Sequence, residues 1–230
     1  MRLALEGAEP FTVVVADTQS EGRGRNGHAW TSPPGVGLYA SLILRPAVSV
    51  DRVPMMTLLA GVAAAEAIRS LSGLDAALKW PNDVLVNLHK VAGILCEASF
   101  PPGDAKPVVV VGLGVNVNTP PQALPKRPLF PASSLAAESG RLHDRDALLG
   151  LWVERSRHWM GVLENGGAAE LVERWRALDA LSGRRLSVNV PDGAAVAGTE
   201  CGVDEEGRLL LRLDDGSLWP VMAGDVKIRE

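Results

Sequence analysis

The chain alternates short apolar runs with longer amphipathic ones. Residues 12–16 are a β-branched run that ends at Asp17, and residues 37–44 are a second apolar stretch. Both predict strands, since β-branched side chains suit a pleated, half-buried surface. Across residues 55–71, Met55, Leu58, Val62, Ala65 and Ile68 fall on one helical face, in an alanine-rich segment with no internal proline. That spacing predicts a helix packed on the core. Apolar runs follow at 83–86, 91–98 and 108–118, the last nearly continuous valine, as in a strand buried on both faces. Two further helices are predicted, at 147–163 with Asp144 as N-cap and at 168–178 with Leu171, Trp175 and Leu178 on one side.

The pattern changes near Ser182-Gly183. Beyond it only short strand-like pieces remain, separated by turn signals at Pro191-Asp192-Gly193, Glu205-Glu206-Gly207, Asp214-Asp215-Gly216 and Ala223-Gly224. Four or five short strands in the last 48 residues suggest a small barrel. The expected fold class is α+β, with a mixed sheet and helices over 1–181 and a separate C-terminal barrel over 182–230.

Composition removes several functions. With 230 residues, 47% hydrophobic and 22% charged, the chain has the make-up of a globular protein rather than a disordered or fibrous one. A net charge of −4 supplies no overall basic field, so no DNA binding is expected. Cys96 and Cys201 fit neither a redox pair nor a disulfide framework, and His28, His89, His143 and His158 are scattered without metal-ligand spacing. The apolar stretches are read as interrupted or too short to cross a bilayer, and the start lacks a signal-peptide core, so no membrane partner and a cytoplasmic location are expected.

Three segments carry candidate chemistry. Gly22, Gly24 and Gly27 have the spacing of a dinucleotide fingerprint, but Trp30-Thr31-Ser32-Pro33-Pro34-Gly35 follows and cannot continue as the helix that fingerprint requires. What remains is a glycine loop with Arg23 and Arg25 interleaved, suited to gripping carboxylate or phosphate oxygens. The plainer alternative is a basic surface turn. Lys79-Trp80-Pro81-Asn82-Asp83 precedes a strand, and Lys90-Val91-Ala92-Gly93-Ile94-Leu95 enters the next strand of a hairpin, which a hairpin with charged ends explains equally well. Gly112 and Gly114 interrupt the valine strand, which points to a bulge, to a ligand lying on the backbone, or to a closely packed helix.

Taken in order, Gln19 with Gly22-Arg23-Gly24-Arg25 and Trp30, then Lys79 to Asp83, then Lys90 to Leu95, then Gly112-Leu113-Gly114-Val115-Asn116 resemble the successive signatures of the biotin protein ligase family. The likeness covers nearly the whole chain, including a tail similar to the family's SH3-like barrel that ends in Gly224-Asp225-Val226-Lys227-Ile228-Arg229. It implies a class II synthetase-like catalytic domain. The implied activity is ATP-dependent conversion of biotin to biotinyl-5′-AMP, with Mg²⁺, followed by transfer to one lysine of a biotin carboxyl carrier protein.

By the same resemblance, Gln19, Gly22, Arg23, Gly24 and Arg25 form the biotin and phosphate loop, with Arg25 on the acyl-phosphate group. Tyr39, Gly93, Gly112 and Gly114 wall the biotin pocket. Lys90 is the central catalytic cation, shared by the biotin carboxylate and the α-phosphate, with Arg25 as its catalytic partner. His28, Trp30, Asn82, Asp83 and Asn116 join Arg25 at the nucleotide, Trp30 on the adenine and Asp83 either on Mg²⁺ or orienting water. Exposed sheet edges suit a homodimer.

Two features depart from the family pattern. A Ser-Thr-Asn segment is usual roughly twenty residues before the glutamine and helps bind the ureido ring, yet only 18 residues precede Gln19 and none supplies it. The expectation is a misassigned start or a truncated chain, with no room for a DNA-binding winged helix. His28 stands where arginine is common, which weakens a phosphate clamp when the imidazole is neutral. The alternatives are a lipoate or octanoate ligase of the same fold, and a catalytically inactive biotin-binding module.

Overall fold

The structure is a computed structural model that describes residues 1–101, 106–126, 130–190, 193 and 195–228. Its first part contains α1 (Arg2–Leu5), β1 (Val13–Ala16), β2 (Leu38–Leu44), α2 (Met55–Ser72), β3 (Ala77–Lys79), β4 (Asp83–Val86), β5 (His89–Ser99), β6 (Val108–Val115), α3 (Leu135–Ser139), α4 (Arg145–Glu164) and α5 (Ala168–Ala177). Six strands form one sheet in the order β1-β2-β6-β5-β4-β3, with neighbouring strands antiparallel. Parallel pairing enters through isolated bridges, Leu78 with Asp179 and Lys90 with Ala132.

The valines of β6 are buried on both faces, as their run predicts, but within an antiparallel sheet. Val109 and Val111 join the main core beside α2, whereas Val108 and Val110 pack with Ala4 of α1 and Ile43 of β2. The four-residue α1 is too short to leave a periodic signal.

α2 is the central helix. By length and composition residues 50–72 would suit a membrane span, which corrects the expectation that the apolar stretches are too short. In the fold, 13 of the 18 residues of α2 are buried against protein. Its small side chains let the sheet approach on one side and α4 and α5 on the other, and each buried leucine contributes roughly 1.5–3 kcal/mol. Gly73 ends it at φ 74°, donating its N–H to the Arg69 carbonyl at 2.9 Å. Asp144 caps α4 as predicted, accepting from the N–H groups of Asp146 at 2.8 Å and Ala147 at 3.0 Å. Glu66 ties the three helices together by accepting from Trp159 Nε1 at 3.0 Å and Arg174 Nε at 2.7 Å.

The second part is a five-stranded antiparallel barrel of β7 (Arg185–Asn189), β8 (Ala195–Val203), β9 (Leu209–Arg212), β10 (Leu218–Val221) and β11 (Asp225–Ile228), in the order β10-β9-β8-β7-β11. The turns ending at Gly207 and Gly216 use positive φ, 80° and 85°, as their sequences predict. Pro191 and Asp192 of the first predicted turn, and Arg229 at the end of the tail, lie outside the described residues.

Polar contacts hold the barrel to the first part. Trp80 Nε1 donates to the Gly207 carbonyl at 3.1 Å, and the Arg176 guanidinium donates to the Val203 carbonyl at 2.8 and 3.2 Å. Glu200 of β8 is 2% exposed beside Asp179. Burial, reinforced by the Asp179 carboxyl, pushes Glu200 up from 4.5 to about 8, and burial raises Asp179 as well. The folded pair therefore keeps a proton that the unfolded chain releases. Its contribution is fully present below the ordinary pKa of 4.5 and is lost as pH rises through about 8. Thermal unfolding across that window will show a midpoint that falls with pH more steeply in the wild type than in Glu200→Gln. Parallel curves would remove the pair from the account.

Candidate active site

Residues 19–30 leave β1 and turn back as a tight hairpin over the sheet. Trp30 N–H donates to the Gly22 carbonyl at 2.8 Å, Gly24 N–H donates to the His28 carbonyl at 2.7 Å, and Arg23 bridges Ala29. The turn is a 3-10 segment, Arg25–Gly27, with Asn26 at φ 53°. No helix follows, so the dinucleotide reading fails in the structure for the reason given by the sequence. Gly22 has no room for a side chain: a Cβ there would lie 2.3 Å from the Trp30 carbonyl oxygen. Gln19 is an exposed residue at the hairpin base, where its Oε1 accepts from Ser32 Oγ at 2.7 Å.

Beneath the hairpin, Gly93 of β5 and Gly114 of β6 are directly paired across the sheet. They form a notch, and the Trp30 indole fills it. A Cβ on Gly114 would come within 2.5 Å of Trp30 Cε2, and one on Gly93 within 3.0 Å of Trp30 Cζ3. The group lying on the glycine strip is therefore an aromatic side chain of the same protein, not a packed helix. Trp30 Nε1 is buried with no hydrogen-bond partner among the described residues. It lies with the residues expected at biotin.

Lys90 lies under that indole, its Nζ 5.5 Å from the ring centroid, a cation–π placement. The ammonium pairs with Asp83 Oδ1, and Lys79 Nζ pairs with Asp83 Oδ2 at 3.0 Å. Two successive hairpins set this up: across β3 and β4 Lys79 is the cross-strand partner of Asp83, and between β4 and β5 Asn87 and Leu88 close the turn at φ 50° and 62°. Burial works to raise the Asp83 carboxyl, but the Lys79 and Lys90 ammoniums outweigh it and hold it below the ordinary carboxylate range.

The remaining predicted residues are placed less uniformly. Asn116 lines a cavity of only about 20 Å³ with Lys90 and Trp30, and its Nδ2 donates to the Ser133 carbonyl at 2.9 Å. Asn82 turns its Nδ2 to the Ile94 carbonyl at 2.6 Å, supporting β5. Tyr39 pairs with Gly114 across the sheet and donates its hydroxyl to the Pro33 carbonyl at 3.0 Å; burial pushes it up to about 12. Gly112 pairs with Leu95 on β5. Arg23 is tied to Glu97 at 3.3 Å, His28 is exposed, and Arg25 has no ion-pair partner among the described residues.

A cleft of about 630 Å³ opens between hairpin, α2 and barrel, lined by Gly24, Arg25, His28, Pro54, Trp80 and Met222, among others. A buried cationic floor thus lies beneath the aromatic lid, beside a roomy cleft edged by arginine. That combination suits a ligand with an apolar body and an anionic end, joined to a larger polyanion.

Residues 2–116 match the biotin/lipoate A/B protein ligase family, and residues 181–229 match the biotin protein ligase C-terminal domain. A biotin--[acetyl-CoA-carboxylase] ligase of Paracoccus denitrificans is 35% identical over 86% of this chain and 83% of its own length. The chain belongs to the biotin protein ligase family. The bifunctional ligase/repressor BirA of Bacillus subtilis is 34% identical over 98% of this chain, which spans 69% of that protein. Among solved structures, a biotin protein ligase from Aquifex aeolicus in complex with biotin and ATP superposes with a TM-score of 0.82 at 28% identity, covering 99% of this chain and 93% of that one.

Within this biotin protein ligase fold, two parts of the site were not assigned from sequence. Lys79 was visible within its motif, but its approach to Asp83 depends on the strand register. Gly207 and Met222 reach the cleft from the barrel, a long-range contact with no local signal.

Proposed function

We propose that this chain is a biotin protein ligase that adenylates biotin with ATP and transfers the biotinyl group to a lysine of a biotin carboxyl carrier protein. The observation that carries the reading is the Lys90 ammonium, buried beneath Trp30 and beside the paired glycines. A biotin carboxylate oxygen attacks the α-phosphorus of ATP, the bond to the β-phosphate oxygen breaks, and pyrophosphate leaves. Lys90 holds the two approaching anions together, and Arg25 neutralises charge on the new mixed anhydride. The carrier lysine amine then attacks the acyl carbon, loses a proton, and expels AMP. Relatives named for biotin, together with the matching C-terminal domain, favour biotin over lipoate or octanoate.

Mg²⁺ is expected with the nucleotide. Among the described residues no cluster of three His, Cys, Asp or Glu side chains could hold a metal, and both Asp83 oxygens face lysines. The residues do not fit a protein-built cage, so the ion is assigned to the ATP phosphates and Asp83 to the lysines. The roomy cleft beside Arg25 is the place for the nucleotide, and the notch at Gly93 and Gly114 for biotin, with Trp30 shifting to cover it. The open edge of β1, where Val14 and Val15 are exposed, is where two copies would pair. The two free cysteines fit a cytoplasmic setting.

Incubation with biotin, ATP, Mg²⁺ and a carrier domain will add one biotinyl group to one carrier lysine by mass spectrometry; an unmodified carrier beside an active control ligase would contradict the reading. Arg25→Gly will release biotinyl-AMP into solution, because the loop no longer shields and neutralises the anhydride. Gel filtration of the loaded variant checks this, and intermediate that stays with the protein would argue against the role given to Arg25.

A further inference from the structure

We infer that Lys79 is a positioning residue for adenylation: it neutralises Asp83 so that the Lys90 ammonium keeps its positive charge available to the anionic substrates. This deepens the ligase reading and rests on it.

Among the described residues, the buried cluster contains two ammoniums and one carboxylate. Lys79, Asp83 and Lys90 are 8%, 9% and 9% exposed, and Asp83 gives one oxygen to each lysine. A purely structural pair would be neutral. Burying a third, unbalanced charge adds a desolvation penalty that such a pair avoids, and the surplus is a single positive charge. That surplus is useful where a carboxylate and a phosphate must be drawn together.

Without Lys79, the Lys90–Asp83 pair would be neutral overall. Asp83 would then compete with the incoming carboxylate for Lys90 and repel it at close range. Lys79 removes that competition by sharing the Asp83 charge through its other oxygen. Two features hold Lys79 in place. Its Cα faces that of Asp83 across the β3–β4 pairing, and its Nζ lies 5.1 Å from the Phe130 ring centroid. No transfer step involves Lys79 itself. It acts through Asp83 on Lys90.

Charge and structure can be separated by substitution. Lys79→Gln keeps a hydrogen-bond donor for Asp83 and loses the charge; Lys79→Arg keeps both; Lys79→Gln with Asp83→Asn restores a net charge of plus one through Lys90. In biotin-dependent ATP–pyrophosphate exchange, kcat is expected to fall about tenfold or more in Lys79→Gln, with a smaller change in the KM for biotin. Lys79→Arg should stay near the wild type. The double variant should recover roughly threefold or more over Lys79→Gln, a coupling of the size expected for groups in direct contact. A purely structural Lys79 predicts the opposite order, with the second substitution adding to the loss. Wild-type kcat in Lys79→Gln, or a double variant slower than the single one, overturns the assignment. A wild-type protein that shows no exchange with biotin overturns the ligase reading instead, and the assignment with it.

Discussion

Lys90→Ala will lower the rate of biotin-dependent ATP–pyrophosphate exchange by about 10³-fold, the loss expected when a preorganised charge is removed from a water-poor site. This corresponds to about 4 kcal/mol of transition-state stabilisation. The position explains the size. Lys90 is buried beneath an indole and held by Asp83, so it meets substrate without reorganising. Truncation leaves Asp83 with Lys79 alone, a neutral pair, so folding survives and the loss is confined to chemistry. Rapid-quench measurement of biotinyl-AMP formation, beside a thermal melt of each protein, checks both halves. A variant that melts normally and retains more than a tenth of the wild-type rate would show that Lys90 is not the central cation.

Gly114→Val should have the second largest effect, raising the dissociation constant for biotin about 10²-fold, which corresponds to about 3 kcal/mol, the upper range of the cost of overpacking a filled site. Valine suits an interior strand, so β6 itself should persist. The added Cβ, however, would stand 2.5 Å from Trp30 Cε2, well inside contact distance, and the indole must leave the notch. Any ligand placed on that strip meets the same obstruction. Calorimetric titration with biotin tests this directly, and unaltered affinity would move the biotin site away from the paired glycines.

Much of this was legible in the chain because local patterns carried it. The helical spacing from Met55 to Ile68, the cap at Asp144 and the barrel turns ending at Gly207 and Gly216 all depend on neighbouring residues, and each of these is present in the structure. The motif residues were visible through the resemblance of the four segments, taken in order, to the family's signatures, since each segment alone left a plainer reading open. What escaped detection depends on register and on contacts across the fold. The pairing of Gly93 with Gly114 becomes a notch only when β5 and β6 align, and Trp30 reaches it only because the hairpin folds back. The same alignment places Asp83 between two lysines, a pairing that the choice between Mg²⁺ and water drawn from the sequence did not include. α1 was too short to be seen, although it closes the outer face of β6.

The most direct test of the central claim is ATP–pyrophosphate exchange by the whole chain with Mg²⁺, run in parallel with biotin, lipoate and octanoate. Exchange is expected with biotin, and none above background with the other two acids. Exchange driven by lipoate or octanoate, or its absence with all three in a correctly folded protein, would contradict the claim.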